Sequence, residues 1–139
     1  MNEHIEVINR YYKAINERRF DDYDALFAPD ATLECPGGVT GTGADAMKAF
    51  DQVWTNASSD FKISPLVQLS VDGKVSSENL LEATHDGLLR LPSGDLPATG
   101  RTFGGRYVGT FEVADGRIVS QHVYYDRMIV VDQLMSTLA

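Results

Sequence analysis

The 139-residue chain is short of the residues that specialised chemistry usually needs. Cysteine occurs once, at Cys35, which excludes an internal disulfide and a thiolate metal cluster. With no base beside it in the sequence, that thiol reads as a packed, inert side chain. Histidine occurs only at His4, His85 and His122, at spacings that suit no helical metal pair, and no H-E-x-x-H motif is present. The expectation is therefore no metal and no cofactor. A G-x-S-x-G elbow is also missing, so a serine hydrolase has no support. Positive charge is scarce: Lys+Arg 12 against Asp+Glu 20 leaves a net charge of −8. That balance opposes nucleic-acid binding through phosphates and docking to an anionic membrane. No apolar run approaches the roughly 20 residues of a membrane helix. The acidic opening Met1-Asn2-Glu3-His4-Ile5-Glu6 lacks the apolar stretch of a secretory signal, so a cytoplasmic location is expected.

What remains is ordinary globular material. Apolar residues at 43% and charged residues at 23% fit one soluble domain spanning 1–139. Ile5, Ile8, Tyr12 and Ile15 recur at steps of three and four, predicting an amphipathic helix over 3–18 whose face Val7 and Tyr11 could widen. A second, short helix is expected over 21–27, its acidic first turn suiting the helix dipole and Pro29 marking its end. A short strand over 31–35 closes at Pro36-Gly37-Gly38. Gly41-Thr42-Gly43-Ala44-Asp45-Ala46 is a nominal dinucleotide fingerprint, but the chain offers no βαβ unit around it. The glycines instead start a third helix with Ala46, Met47, Phe50, Val53 and Trp54 on one face.

From Phe61 onward the pattern changes to period two. Asp72-Gly73, Ser93-Gly94 and Asp115-Gly116 each separate alternating runs and mark hairpins. Helices first and antiparallel strands afterwards imply an α+β domain with its helices on one side of the sheet. The segment 75–91, about 56 Å long if extended at roughly 3.3 Å per residue, exceeds the ~37 Å width of a domain this size. It must bend, break or project, and a bent sheet wrapped on helices leaves a concave face suited to a pocket.

In 75–91 the odd positions are the less polar, so His85 should point inward and Asp86 outward. In the last hairpin the odd positions (Phe103, Tyr107, Phe111, Val113, Val119, Val123, Tyr125) are apolar. The even positions (Arg106, Thr110, Glu112, Ser120, His122, Tyr124, Asp126) carry the polar chemistry. The two strands keep one face together if the loop has three residues, Ala114-Asp115-Gly116, with Gly116 in the left-handed bulge position. Alternation alone leaves two readings. Either the odd face is core and the even face meets solvent, or the even face lines a cavity and the odd face meets a partner chain.

The segment Thr84-His85-Asp86-Gly87, followed by Leu96-Pro97-Ala98-Thr99-Gly100-Arg101, resembles the H-x-G and P-x-T-G-R signatures of the SnoaL-like family, polyketide cyclases of the NTF2-like superfamily. The similarity continues through Asp115-Gly116-Arg117-Ile118-Val119, His122-Val123-Tyr124-Tyr125-Asp126 and Asp132-Gln133-Leu134, and also covers Asp24-Ala25-Leu26-Phe27-Ala28-Pro29-Asp30 near the start. This resemblance implies a cone-shaped barrel, N-terminal helices packed on a strongly curved antiparallel sheet around a cavity. It also implies a homodimer through the outer sheet face, which the apolar odd positions would suit.

Under the resemblance Asp126 becomes the general acid/base of an enzyme acting on a small, polyketide-like carbonyl compound, a cyclase or isomerase. His122, on the same strand face with Tyr124 between it and Asp126, could share its proton. His85, Tyr124, Glu112 and Trp54 are the candidate ligand contacts, Glu112 replacing a pocket histidine of the cyclases. The alternative function is a non-catalytic ligand-binding or assembly module. Epoxide hydrolysis, also found on this fold, needs an Asp–Arg–Asp arrangement that adjacent Asp126 and Arg127 should not form.

Overall fold

In the computed structural model, residues 2–135 are described. Helix α1 runs over Glu3–Asn16, and Asn2 caps it by accepting the amide protons of His4 at 2.8 Å and Ile5 at 3.3 Å. Its buried face is wider than the simple stripe, with Val7, Ile8, Tyr11, Tyr12, Ala14 and Ile15 all turned into the core. A 3-10 turn over Phe20–Asp22 leads into the short helix α2, Tyr23–Leu26. Helix α3, Ala44–Ala57, follows Gly43, whose φ of 87° supplies the left-handed entry that the glycine pair predicts.

The described residues also form eight strands: β1 (Phe27–Cys35), β2 (Val39–Thr42), β3 (Lys62–Val71), β4 (Lys74–Thr84), β5 (Leu89–Leu91), β6 (Gly94–Leu96), β7 (Thr102–Ala114) and β8 (Arg117–Tyr124). Six of them form one sheet in the order β2-β1-β8-β7-β4-β3, and β5-β6 is a separate hairpin. The last element is α4, Arg127–Met135. The sheet is mixed rather than wholly antiparallel, because β1 runs parallel to β8. Strand β1 also starts at Phe27, ahead of the expected 31. Pro29 falls where the β1–β8 register is irregular, between Phe27 and Thr32, a place where a missing amide proton does little harm.

The long segment 75–91 resolves by breaking. Strand β4 ends at Thr84, and β5 begins at Leu89 in a different sheet. The final hairpin corrects the loop expectation. Asp115 (φ 53°) and Gly116 (φ 77°) make a two-residue turn, and the register shift falls between Glu112 and Val113, leaving Val119 as the extra residue of β8. This bulge keeps the faces of the two strands together, as the three-residue loop was expected to do. Helices α1 and α3 cover only one side of the sheet, so the apolar odd positions go there. Phe103, Phe111, Val113 and Val123 are buried beneath them. The second reading of the hairpin is thus reversed: the odd face is core, and a partner chain cannot use it.

Candidate functional site

The covered side of the sheet and the helices enclose a cavity of about 190 Å³. Tyr11 of α1, Asp51 of α3 and Gln121 of β8, all buried, form its closed end. Phe50, Trp54, Tyr107 and Tyr125 are half-buried and form walls, while the exposed Asp126 and Ile129 mark the mouth. At one side β7 makes room through Gly104. Its φ is 136°, and a Cβ there would lie 2.1 Å from the carbonyl oxygen of Leu81. Beside the mouth lies an open groove of about 830 Å³ that shares Phe50, Trp54, Tyr125, Asp126 and Val130 with the cavity.

Asp51 is a buried carboxyl that lines this cavity, and the sequence reading missed it. Its side chain is only 7% exposed. Tyr11 and Tyr23 both donate to its Oδ2, at 2.8 and 2.6 Å. Burial pushes the carboxyl up from 3.8 to about 7, because the charged form loses its water; the two tyrosine hydrogen bonds hold it back in part. The buried tyrosines respond to the same surroundings, and burial with the nearby Asp51 charge raises both phenols well above their usual range. Gln121 donates from Nε2 to the Tyr11 hydroxyl at 3.1 Å. One local signal was available: Met47, Asp51 and Thr55 recur at steps of four and form the buried stripe of α3, so an acid stands inside an apolar helical face.

The expected site residues divide three ways. Asp126 and Trp54 do line the cavity. Asp126 gets there because β8 stops at Tyr124 and the chain turns, not because even positions face inward. Its Oδ1 accepts the amide proton of Met128 at 2.9 Å and so caps α4. Glu112, His122 and Tyr124 do not join it. They lie on the uncovered face and line a shallow outer groove with Leu69, Val71 and Thr110. There His122 Nδ1 is 3.5 Å from Glu34, and Glu112 is 4.0 Å from Lys74. The turn after Tyr124 thus takes Asp126 off the face of β8 that carries His122, so His122 and Glu112 line one pocket and Asp126 another.

His85 points inward as expected and is fully buried, but it serves the fold. Its Nδ1 accepts the Thr99 amide proton at 3.2 Å and lies 2.9 Å from Thr99 Oγ1. A backbone amide can only donate, so the ring proton sits on Nε2. His85 N donates to Arg101 O, and Gly100 N donates to His85 O, each at 2.8 Å. The two signature segments thus clasp each other. Cys35 is buried, and its thiol is pushed up to about 12 by that burial, which makes it a poor nucleophile. Among the described residues no group of three or more His, Cys, Asp or Glu side chains is placed to hold a metal ion, and no helix is long and apolar enough to cross a membrane.

A six-stranded sheet closed on one side by helices around a small cavity defines the NTF2-like cone. Solved structures share it at low sequence identity, which carries the fold alone. A candidate SnoaL-like polyketide cyclase from Jannaschia sp. CCS1 matches with a TM-score of 0.85 and 15% identity, over 98% of this chain and 94% of that one. IdmH, a candidate polyketide cyclase from Streptomyces antibioticus, matches at 0.80 and 22%, over 96% and 99%. An epoxide hydrolase of the LEH-like type from M. tuberculosis matches at 0.72 and 19%, over 96% and 90%. No curated protein matches the chain in sequence. The sequence profile of the SnoaL-like domain matches residues 8–121, and the chain belongs to that family.

Proposed function

We propose that the protein is a cofactor-free enzyme that moves a proton on a small carbonyl compound held in this cavity, in a cyclase- or isomerase-type reaction. One observation carries the reading: a buried carboxyl raised to about 7 stands at the closed end of an apolar cavity. Such a group is present in both protonation states near neutral pH, as general acid/base chemistry requires. Neutral Asp51 donates the proton on Oδ1 to the carbonyl oxygen, and Tyr11 and Tyr23 hold the carboxylate that remains. Asp126 at the mouth, the position to which the family resemblance assigns the acid/base, takes the proton from the adjacent carbon with its free Oδ2. The C–H electron pair becomes the C=C bond of an enol; as the enol carbon attacks a second carbonyl, or another carbon is reprotonated, Asp126 gives its proton to the new hydroxyl or carbon and Asp51 recovers the enol hydroxyl proton.

The cavity volume favours a compact ring, judged against the roughly 150 Å³ that admits benzene. Longer parts of a polyketide-like molecule would extend into the adjoining groove. Epoxide hydrolysis fits less well, because the guanidinium of Arg106, the arginine on the cavity wall, is turned out to Glu78 at 3.3 Å. We also assign the homodimer to the uncovered sheet face, where Leu69, Val71 and Tyr124 are exposed.

The test is solvent-deuterium exchange at the α-carbon of cyclohexanone, followed by NMR. Wild type is expected to exchange faster than buffer, with at least about a tenfold loss in Asp51→Asn and in Asp126→Asn. Unchanged exchange in Asp126→Asn removes that residue from the mechanism. Binding with no exchange in wild type favours the non-catalytic module instead.

A further inference from the structure

Gln121, which lines the cavity, carries a buried side-chain acceptor that the described residues do not use. Gln121 is 3% exposed, and its Oε1 accepts no hydrogen bond from a described residue. Its orientation follows from the network. Tyr11 has one hydroxyl proton, and that proton lies on Asp51 Oδ2 at 2.8 Å. Tyr11 can therefore only accept from Gln121, which must present Nε2 to it, at 3.1 Å, and so leave Oε1 unpaired. A neutral Asp51, protonated on Oδ1, leaves this arrangement unchanged. A buried acceptor without a donor is costly, and a ligand that closes the cavity over it without supplying one keeps that cost in the complex.

We propose that Gln121 favours substrates bearing a hydroxyl or enol donor on the ring that enters the cavity, so that a hydroxylated or enolised cyclic carbonyl compound is preferred to a plain ketone, which binds more weakly. This rests on the cavity being the substrate site. Asp51 and Gln121 are joined through the single hydroxyl of Tyr11, so the carbonyl oxygen and the donor belong to one edge of the ligand. Gln121 is here a specificity-determining residue; it takes no proton.

The probes are 3-hydroxyacetophenone and acetophenone, which differ by one donor, with affinities measured by titration calorimetry. Wild type is expected to bind the hydroxylated probe at least about tenfold more tightly, the value of one otherwise unpaired buried acceptor. Gln121→Met, of similar volume, is expected to abolish that preference by weakening 3-hydroxyacetophenone and sparing acetophenone. Equal wild-type affinities overturn the proposal and leave the cavity reading intact, and this comparison holds even if the variant does not fold. A preference that survives in Gln121→Met also overturns it. Failure of both probes to bind wild type overturns the cavity reading itself.

Discussion

Replacing Asp51 by asparagine exchanges a titrating carboxyl for a neutral amide of nearly the same shape, and its effect can be worked out without knowing a substrate. Burial raises the folded-state carboxyl from 3.8 to about 7. Between those values the folded protein keeps a proton that the unfolded chain has released. The associated stability is therefore complete below about pH 4, falls as pH rises, and is fully lost above about pH 7. At about 1.4 kcal/mol per pH unit, the whole loss is about 4 kcal/mol. Some 3 kcal/mol of it falls between about pH 5 and pH 8. Asparagine keeps an oxygen to accept from Tyr11 and Tyr23 and never becomes charged, at a cost of about 1 kcal/mol for its imperfectly placed amide protons. The variant should thus be more stable than wild type at about pH 8, by roughly 3 kcal/mol, and close to it or slightly weaker at about pH 4. Urea unfolding of both proteins across this range measures the difference, from which every other titrating group cancels. A difference that stays constant within about 0.5 kcal/mol from pH 5 to pH 8 refutes the claim that Asp51 is a buried, near-neutral carboxyl.

Three further outcomes follow from the same geometry. Tyr11→Phe removes one of the two donors that hold the Asp51 carboxyl down, so its pKa should rise, read by carbon NMR of the carboxyl; a fall refutes the assigned donor. Gly104→Val should cost roughly 2 kcal/mol or more, seen as a lowered Tm, because its φ of 136° and the Leu81 carbonyl both oppose a side chain. Light scattering should find a wild-type dimer and a Leu69→Glu monomer, since Leu69 is 66% exposed on the uncovered face; a wild-type monomer contradicts the dimer.

Much of the architecture was legible because it is set locally. The spacing of Ile5, Ile8, Tyr12 and Ile15 placed α1 over 3–18, within two residues of its observed end, Glu3–Asn16. Asp72-Gly73 and Asp115-Gly116 form the two tight turns at positive φ that their dipeptides demand. His85, Thr99 and Arg101 carried the family signature because they clasp one another in the fold, which is why they identified the family and not its reaction. The sidedness of the last hairpin was not legible. Alternation says that Val123 and His122 face opposite ways, but which side is covered depends on where α1 and α3 pack.

By itself the chain determined its first three helices, its tight hairpin turns, its family and the exclusion of a thiolate cluster, all of which depend on residues near one another or on simple counts. Only the tertiary structure decided the chemistry. Asp51 is reached by Tyr23 from 28 positions away and by Tyr11 from 40, while Gln121 meets Tyr11 across 110. Desolvation is a property of what surrounds a side chain, so an ordinary acid of α3 became a near-neutral one only once those distant residues closed around it.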